Sequence, residues 1–279
     1  MSTIATARPS YISLVWGRVA TETRIFFRER DSLIFVFFFP LMFLLLFATL
    51  MGGQDITPEG LPVEEGLTFK QYFLPGMLAS GFAFTGFQNL AIAIPVERDQ
   101  GILKRLRGTP LPPSVYFFGK VGQVFVISVA QVIMMLLVAR FALGIPMPTE
   151  AHAWVTLTWV FFLGLAMCTV LGLAFSSVPR TGKSASAVVV PIVLVLQFVS
   201  GVYFTFDSIP GWMQHFAEFF PLKWMAQSLR SVFLPDYMMQ VEPRDSWELG
   251  TSAIVMAVWF VVGLVLALKT FRWSSRKDG

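Results

Sequence analysis

Apolar and polar residues are segregated along this chain into long blocks, and the apolar blocks predict helices that cross a bilayer. They cover residues 33–51 ("LIFVFFFPLMFLLLFATLM"), 74–95, 115–139, 154–178, 185–204 and 251–268. Each approaches or exceeds the ~18–20 residues needed to span about 30 Å of hydrocarbon at ~1.5 Å per residue. Pro40 within the first block is tolerable there, because a neighbouring helix can satisfy the carbonyl it frees. Two further segments follow other patterns. Residues 11–31 are amphipathic, with Ile12, Val15, Trp16, Val19, Phe26 and Phe27 on one face and Arg18, Glu22, Arg28 and Glu29 on others. That pattern predicts a helix lying in the membrane interface and leading into the first span. Residues 207–235 are aromatic and helical in pattern, yet carry His215, Glu218, Lys223 and Arg230 around a central Pro221. A seventh crossing there would put the basic C-terminus on the wrong side. The expectation is therefore two short helices, broken at Pro221, that dip into the outer leaflet and return.

Composition supports a membrane assignment. The 279 residues are 55% hydrophobic and 14% charged, where a soluble domain carries about a quarter charged residues. The predicted fold is an all-α integral membrane protein, one domain over residues 1–279. It has six transmembrane helices, an N-terminal interfacial helix and a re-entrant helical pair before the last span. No small-residue cleavage pattern follows the first block, so a removed signal peptide is not expected. The single cysteine, Cys168, lies in an apolar run and is read as buried filler.

Charge placement sets the expected orientation. Sixteen of the 21 Lys and Arg residues fall before span one, between spans two and three or four and five, or after span six. Lys70, Arg140, Lys223, Arg230 and Arg244 make up the other face. The positive-inside rule then puts both termini in the cytoplasm, in a multi-pass protein of the cytoplasmic membrane.

The densest charge lies between spans two and three, in "PVERDQGILKRLRGTPLPPS" (residues 95–114). Residues 97–107 favour helix, with Ile102, Leu103 and Leu106 on one face, and Gly108 and Pro110 end it. Its arginines alone would serve as a topology signal or touch anionic headgroups. The mixed signs (Glu97 and Asp99 among Arg98, Lys104, Arg105 and Arg107) and the apolar stripe favour a helix docking in a groove on a cytoplasmic protein.

Chemistry is conspicuously sparse elsewhere. "TGKS" (residues 181–184) lacks the upstream glycine and strand of a phosphate-binding loop. His152 and His215 have no partners at metal-ligand spacing, so no metal and no catalytic residue is assigned. No Asp or Glu lies in the six blocks, and Lys120 and Arg140 sit near span ends where both can snorkel. Ion-driven transporters usually keep ionisable groups in the membrane. Without them, and without a nucleotide site, any driving force comes from another polypeptide. Thr85, Gln88 and Asn89 in span two and Gln197 and Ser200 in span five are candidates for a translocation path. The competing expectation for them is plain interhelical hydrogen bonding. A path without ionisable groups suits hydrophobic or amphipathic cargo.

The run "ERDQGILKRLRGTPL" (residues 97–111) resembles the E-R-x-x-G-x-L-x-x-L-R-x-T-P-L signature of the permease subunits of type-2 ABC transporters, position for position. "LPGMLASG" opening span two, and Pro210, Trp212, Pro221–Leu222 and Leu229–Arg230 further on, are similar to the family's remaining landmarks in its order. The tightest likeness is to the daunorubicin-resistance branch, exporters of drugs, antibiotics or lipids. The resemblance implies that residues 97–107 (Glu97, Arg98, Gly101, Leu103, Lys104, Arg105, Leu106, Arg107) form a coupling helix inserted into a separate ATP-binding subunit. Leu103 and Leu106 would be its apolar contacts, and the basic residues its rim. It implies a second permease copy, identical or paired, with ATP and magnesium held by the partner subunit and no cofactor in this chain. The re-entrant region of Pro210, Trp212, Pro221 and Arg230 would shape the exit. Membrane lipid is an expected partner and nucleic acid is not. A reading from another class stays open: a membrane anchor or assembly protein whose basic loop binds lipid or a different partner.

Overall fold

The computed structural model describes residues 10–57 and 66–271; Arg8, Arg272, Arg276 and Lys277 of the charge count lie outside them. Ten helices occur among the described residues besides three short 3-10 segments (Phe206–Ser208, Asp236–Val241 and Pro243–Asp245). An N-terminal helix, α1 (Tyr11–Arg28), precedes the first long apolar helix, α2 (Arg30–Leu50). α3 (Phe69–Asp99) is followed by the short α4 (Ile102–Arg107). Then come α5 (Pro113–Phe141), α6 (Ala151–Phe175) and α7 (Gly182–Val199). The short pair α8 (Gly211–Phe219) and α9 (Pro221–Phe233) leads to α10 (Leu249–Thr270). Six of these, α2, α3, α5, α6, α7 and α10, are long and apolar enough to cross a membrane, which is the all-α, six-span arrangement expected.

Small residues and polar bridges decide how the spans pack. A Cβ on Gly172 would stand 2.6 Å from the Gly86 carbonyl oxygen, and one on Gly86 would stand 2.8 Å from Cys168 Cβ. The backbones of α3 and α6 therefore touch, as small residues allow between membrane helices. α3 is π-helical from Ala83 to Gln88 at this crossing, and α2 from Ile34 to Phe38 just before Pro40. Pro40 has no N–H for the carbonyl four residues earlier, that of Val36, and Gln131 on α5 donates Nε2 to it at 2.7 Å. The same amide accepts from Thr85 Oγ1 at 2.8 Å, so one side chain joins α2, α3 and α5.

The helical pair breaks where expected. Phe220 is extended and Pro221 begins α9. α9 is buried on all sides, against α3, α6 and α10. Its Arg230 is fully buried, paired through two nitrogens with Glu242, donating Nη1 to the Gly201 carbonyl at 3.1 Å and lying over the Tyr72 ring. Gly201 itself has φ +67°, a left-handed turn that glycine adopts without Cβ strain. The fifth span thus ends at Val199 and not at residue 204, and Ser200 stands just beyond it.

α1 ends at Arg28, three residues short of the predicted segment, and splits its apolar face. Val19, Glu22 and Phe26 are buried, mainly against α5, where Gly119 and Gly122 leave room for Arg18 and Val19. Ile12, Trp16 and Phe27 are exposed. Glu22, expected on a polar face, points into the protein.

Candidate functional site

The charged island is a joint, and its three leading residues each hold a different element. At Glu97, near the end of α3, the carboxylate is paired with Lys120 of α5 and accepts from Tyr116 Oη at 2.8 Å. Lys120 Nζ also donates to Glu22 of α1 at 2.7 Å, and Glu22 pairs with Arg18 one turn earlier. The result is a nearly dry network of two cations and two carboxylates across α1, α3 and α5. Arg18 and Lys120 both lie over the Tyr116 ring, at 5.4 and 5.7 Å from its centroid. Such a group persists only because each charge is compensated; single members are expensive to remove.

Arg98 is buried and donates Nη2 to the Ser176 carbonyl at 2.6 Å. That carbonyl closes α6, where helical acceptors run out of N–H partners. Asp99 accepts from the Gly182 N–H at 2.7 Å, at the first residue of α7. A carboxylate suits this position, since a helix N-terminus presents free donors and partial positive charge. Glu97, Arg98 and Asp99 thereby tie the end of α3 to α1 and α5, to the end of α6 and to the start of α7.

The island is not one continuous helix. α3 ends at Asp99 and α4 starts at Ile102, with Gly101 at φ +72° between them. No side chain among the described residues crowds Gly101, so the backbone conformation, not space, calls for glycine. Leu103 is fully buried in the chain's own core, and Leu106 packs partly against it. The expected outward apolar ridge is therefore corrected: Leu103 anchors α4 to the bundle. Arg98, expected in the rim, is also internal. The exposed surface of α4 consists of Lys104, Arg105 and Arg107, continuing into Gly108, Thr109 and Pro110.

The other candidates separate. Thr85 is taken by Gln131, while Gln197 Oε1 accepts from Ser80 Oγ at 3.0 Å and from Tyr203 Oη. Both act as interhelical bonds. Gln88 Oε1, Asn89 Nδ2, Gln197 Nε2 and Ser200 Oγ are buried without a hydrogen-bond partner among the described residues. Pro210 and Trp212 are exposed, whereas Pro221 and Arg230 are buried. His152 stands against Glu150 and His215 against Glu218, and no cluster of metal-binding side chains occurs among the described residues.

Sequence reasoning missed Glu22 and Tyr116, and it mistook Lys120 for a snorkelling residue. Lys120 is 2% exposed. The available signal was a lysine lying between two glycines that α1 needs, one residue from Gly119 and two from Gly122. An ionisable residue in an apolar helix asks for a named partner.

Residues 14–234 match the family model of the ABC-2 type transporter. The chain belongs to that family, and it is a transport permease subunit by class. Among similar proteins, one of Cyanophora paradoxa named as a transport permease, ycf38, is 27% identical over 241 residues, covering 84% of this chain and 80% of that protein. The inner membrane transport permease YadH of Escherichia coli is 20% identical, covering 69% and 72%. The daunorubicin resistance ABC transporter permease protein DrrB1 of Streptomyces coeruleorubidus is 23% identical, covering 86% and 80%.

Proposed function

We propose that this chain is the membrane-spanning half of an ATP-driven exporter, energised by a separate ATP-binding subunit that docks on α4. The joint of Glu97, Arg98 and Asp99 is the observation that carries this reading. A force applied to α4 cannot be absorbed by a loose loop, because its base is bonded to four other helices. The basic surface of Lys104, Arg105 and Arg107 is the side left for a partner. Glu97 and Leu103 transmit motion inward; they are not the contact itself. ATP and magnesium belong to the partner chain, and two permease copies form the path.

Hydrophobic or amphipathic cargo fits the apolar spans, and the name of the daunorubicin-resistance relative points the same way. The basic ends of the helices, α4 included, face the cytoplasm of a bacterium, with α8 and α9 dipping into the outer leaflet.

The test is to extract the tagged chain from its native membrane in mild detergent, identify co-purifying proteins and measure ATP hydrolysis. Wild type is expected to bring an ATP-hydrolysing subunit. Lys104→Glu/Arg105→Glu/Arg107→Glu is expected to lose it with unchanged thermal unfolding. Leu103→Asp is unsuited to this test, since it buries a carboxylate in the core and unfolds the joint. Absence of any ATPase in the wild-type preparation would return the protein to the class of membrane anchors.

A further inference from the structure

A cavity of about 410 Å³ lies between α3, α6, α7 and α10, roofed by the break between α8 and α9. It is not the set of polar span residues considered above: Phe220 and Pro221 line one end, and Val178 and Thr270 the other. From Trp259 to Thr270 along α10 is on the order of 16 Å, an elongated shape. Its walls carry no charged residue. The hydroxyls of Ser177 and Thr270 are already given to the Ala174 and Leu266 carbonyls, at 2.8 and 2.7 Å. Trp259 likewise donates its Nε1 to the Phe219 carbonyl at 3.0 Å. These groups have no hydrogen left to donate to an acceptor on an occupant, and the rest of the lining is apolar, so hydrocarbon is the chemistry that fits against them.

The rim supplies the second half of the argument. Val178, Ile192 and Leu266 are exposed at the edge, which opens the cavity sideways towards the bilayer. At the Val178 and Thr270 end stand Arg180, Lys183 and Lys269, all exposed. Arg180 follows Val178 by two residues, Lys183 lies in the first turn of α7, and Lys269 precedes Thr270. Basic residues beside an apolar slot at a helix end match one chemistry, an anionic headgroup on a hydrocarbon tail.

We infer that this cavity binds an anionic phospholipid of the adjoining leaflet, with one acyl chain between α6, α7 and α10 and its phosphate against Arg180, Lys183 and Lys269. The inference is independent of ATP-driven transport and is tested without it.

The full-length chain, purified in mild detergent, is offered equal amounts of dioleoyl phosphatidylglycerol and dioleoyl phosphatidylcholine, and retained lipid is read by native mass spectrometry. Wild type is expected to keep one phosphatidylglycerol per chain, at least about fivefold over phosphatidylcholine, the effect of a single surface cation. Arg180→Gln/Lys183→Gln/Lys269→Gln keeps lipid but loses the preference. Ile192→Trp, which fills the slot from its exposed edge, loses both lipids. Equal retention by wild type, or an undiminished preference in the triple variant, overturns the proposal. A second readout uses the only cysteine, Cys168, in the cavity wall. Phosphatidylglycerol is expected to slow its alkylation by monobromobimane more than phosphatidylcholine does, and identical rates with both lipids overturn the assignment even if Ile192→Trp fails to fold.

Discussion

Replacing Lys120 by Met tests whether the charged joint holds the bundle together. Lys120 and Glu22 side chains are 3% and 2% exposed, and Glu97 is 16% exposed. With Arg18, the four charges sum to zero. Met preserves most of the apolar stem but leaves two carboxylates facing one guanidinium. Removing one partner of a buried pair costs about 3–5 kcal/mol. The lower end applies here, because water reaching Glu97 screens part of the imbalance. At about 2–4 °C per kcal/mol for a chain of this order of size, about 3 kcal/mol lowers the unfolding midpoint by roughly 6–12 °C. The assay is thermal unfolding of the purified chain in one detergent at one scan rate, since membrane proteins rarely refold on cooling. Lys120→Met/Glu22→Gln restores neutrality and is expected to recover about half of the loss, a non-additivity typical of contacting residues. A Lys120→Met midpoint within about 2 °C of wild type, or strictly additive losses, would refute the argument that these charges are buried as a compensated set.

Three further outcomes follow from the packing. Gln131→Leu strands the Val36 carbonyl and the Thr85 hydroxyl together, and about 1–3 kcal/mol of stability is expected to go with each group left unsatisfied, read by the same unfolding assay. Arg230→Met leaves Glu242 buried and alone, an expected loss of about 3–5 kcal/mol, while Arg230→Met/Glu242→Met should regain much of it; equal melting of single and double variants would contradict that. Gly172→Leu cannot fit where a Cβ already meets the Gly86 carbonyl at 2.6 Å, so monodisperse protein recovered by size exclusion should fall severalfold, against little change for Gly250→Ala, which meets nothing.

The elements of this protein were legible in the chain because a bilayer imposes a length. A helix that must bury about 30 Å of backbone in hydrocarbon announces itself by an apolar run, wherever it later packs. The break at Phe220–Pro221 was legible from the company Pro221 keeps. Proline removes a helical N–H, and His215, Glu218, Lys223 and Arg230 around it argue against an uninterrupted span. Pro40, Pro75, Pro95 and Pro191, by contrast, stand in apolar runs and stay inside helices. The family was legible in residues 97–111, whose fixed positions include the glycine that turns the backbone at Gly101.

What the tertiary structure decided is which way each polar side chain faces. Leu103 reads as an outward ridge on a helix considered alone, and it faces inward because α4 lies against the bundle. Glu97, Arg98 and Asp99 read as charges of a helix that docks on another protein, yet they meet Lys120, Ser176 and Gly182 of the same chain, which lie 23, 78 and 83 positions away. Lys120 reads as a snorkelling cation because periodicity along one helix does not reveal a carboxylate on another. Burial of charge is a property of pairs, and pairs distant in sequence are made only when helices with suitable small residues come into contact.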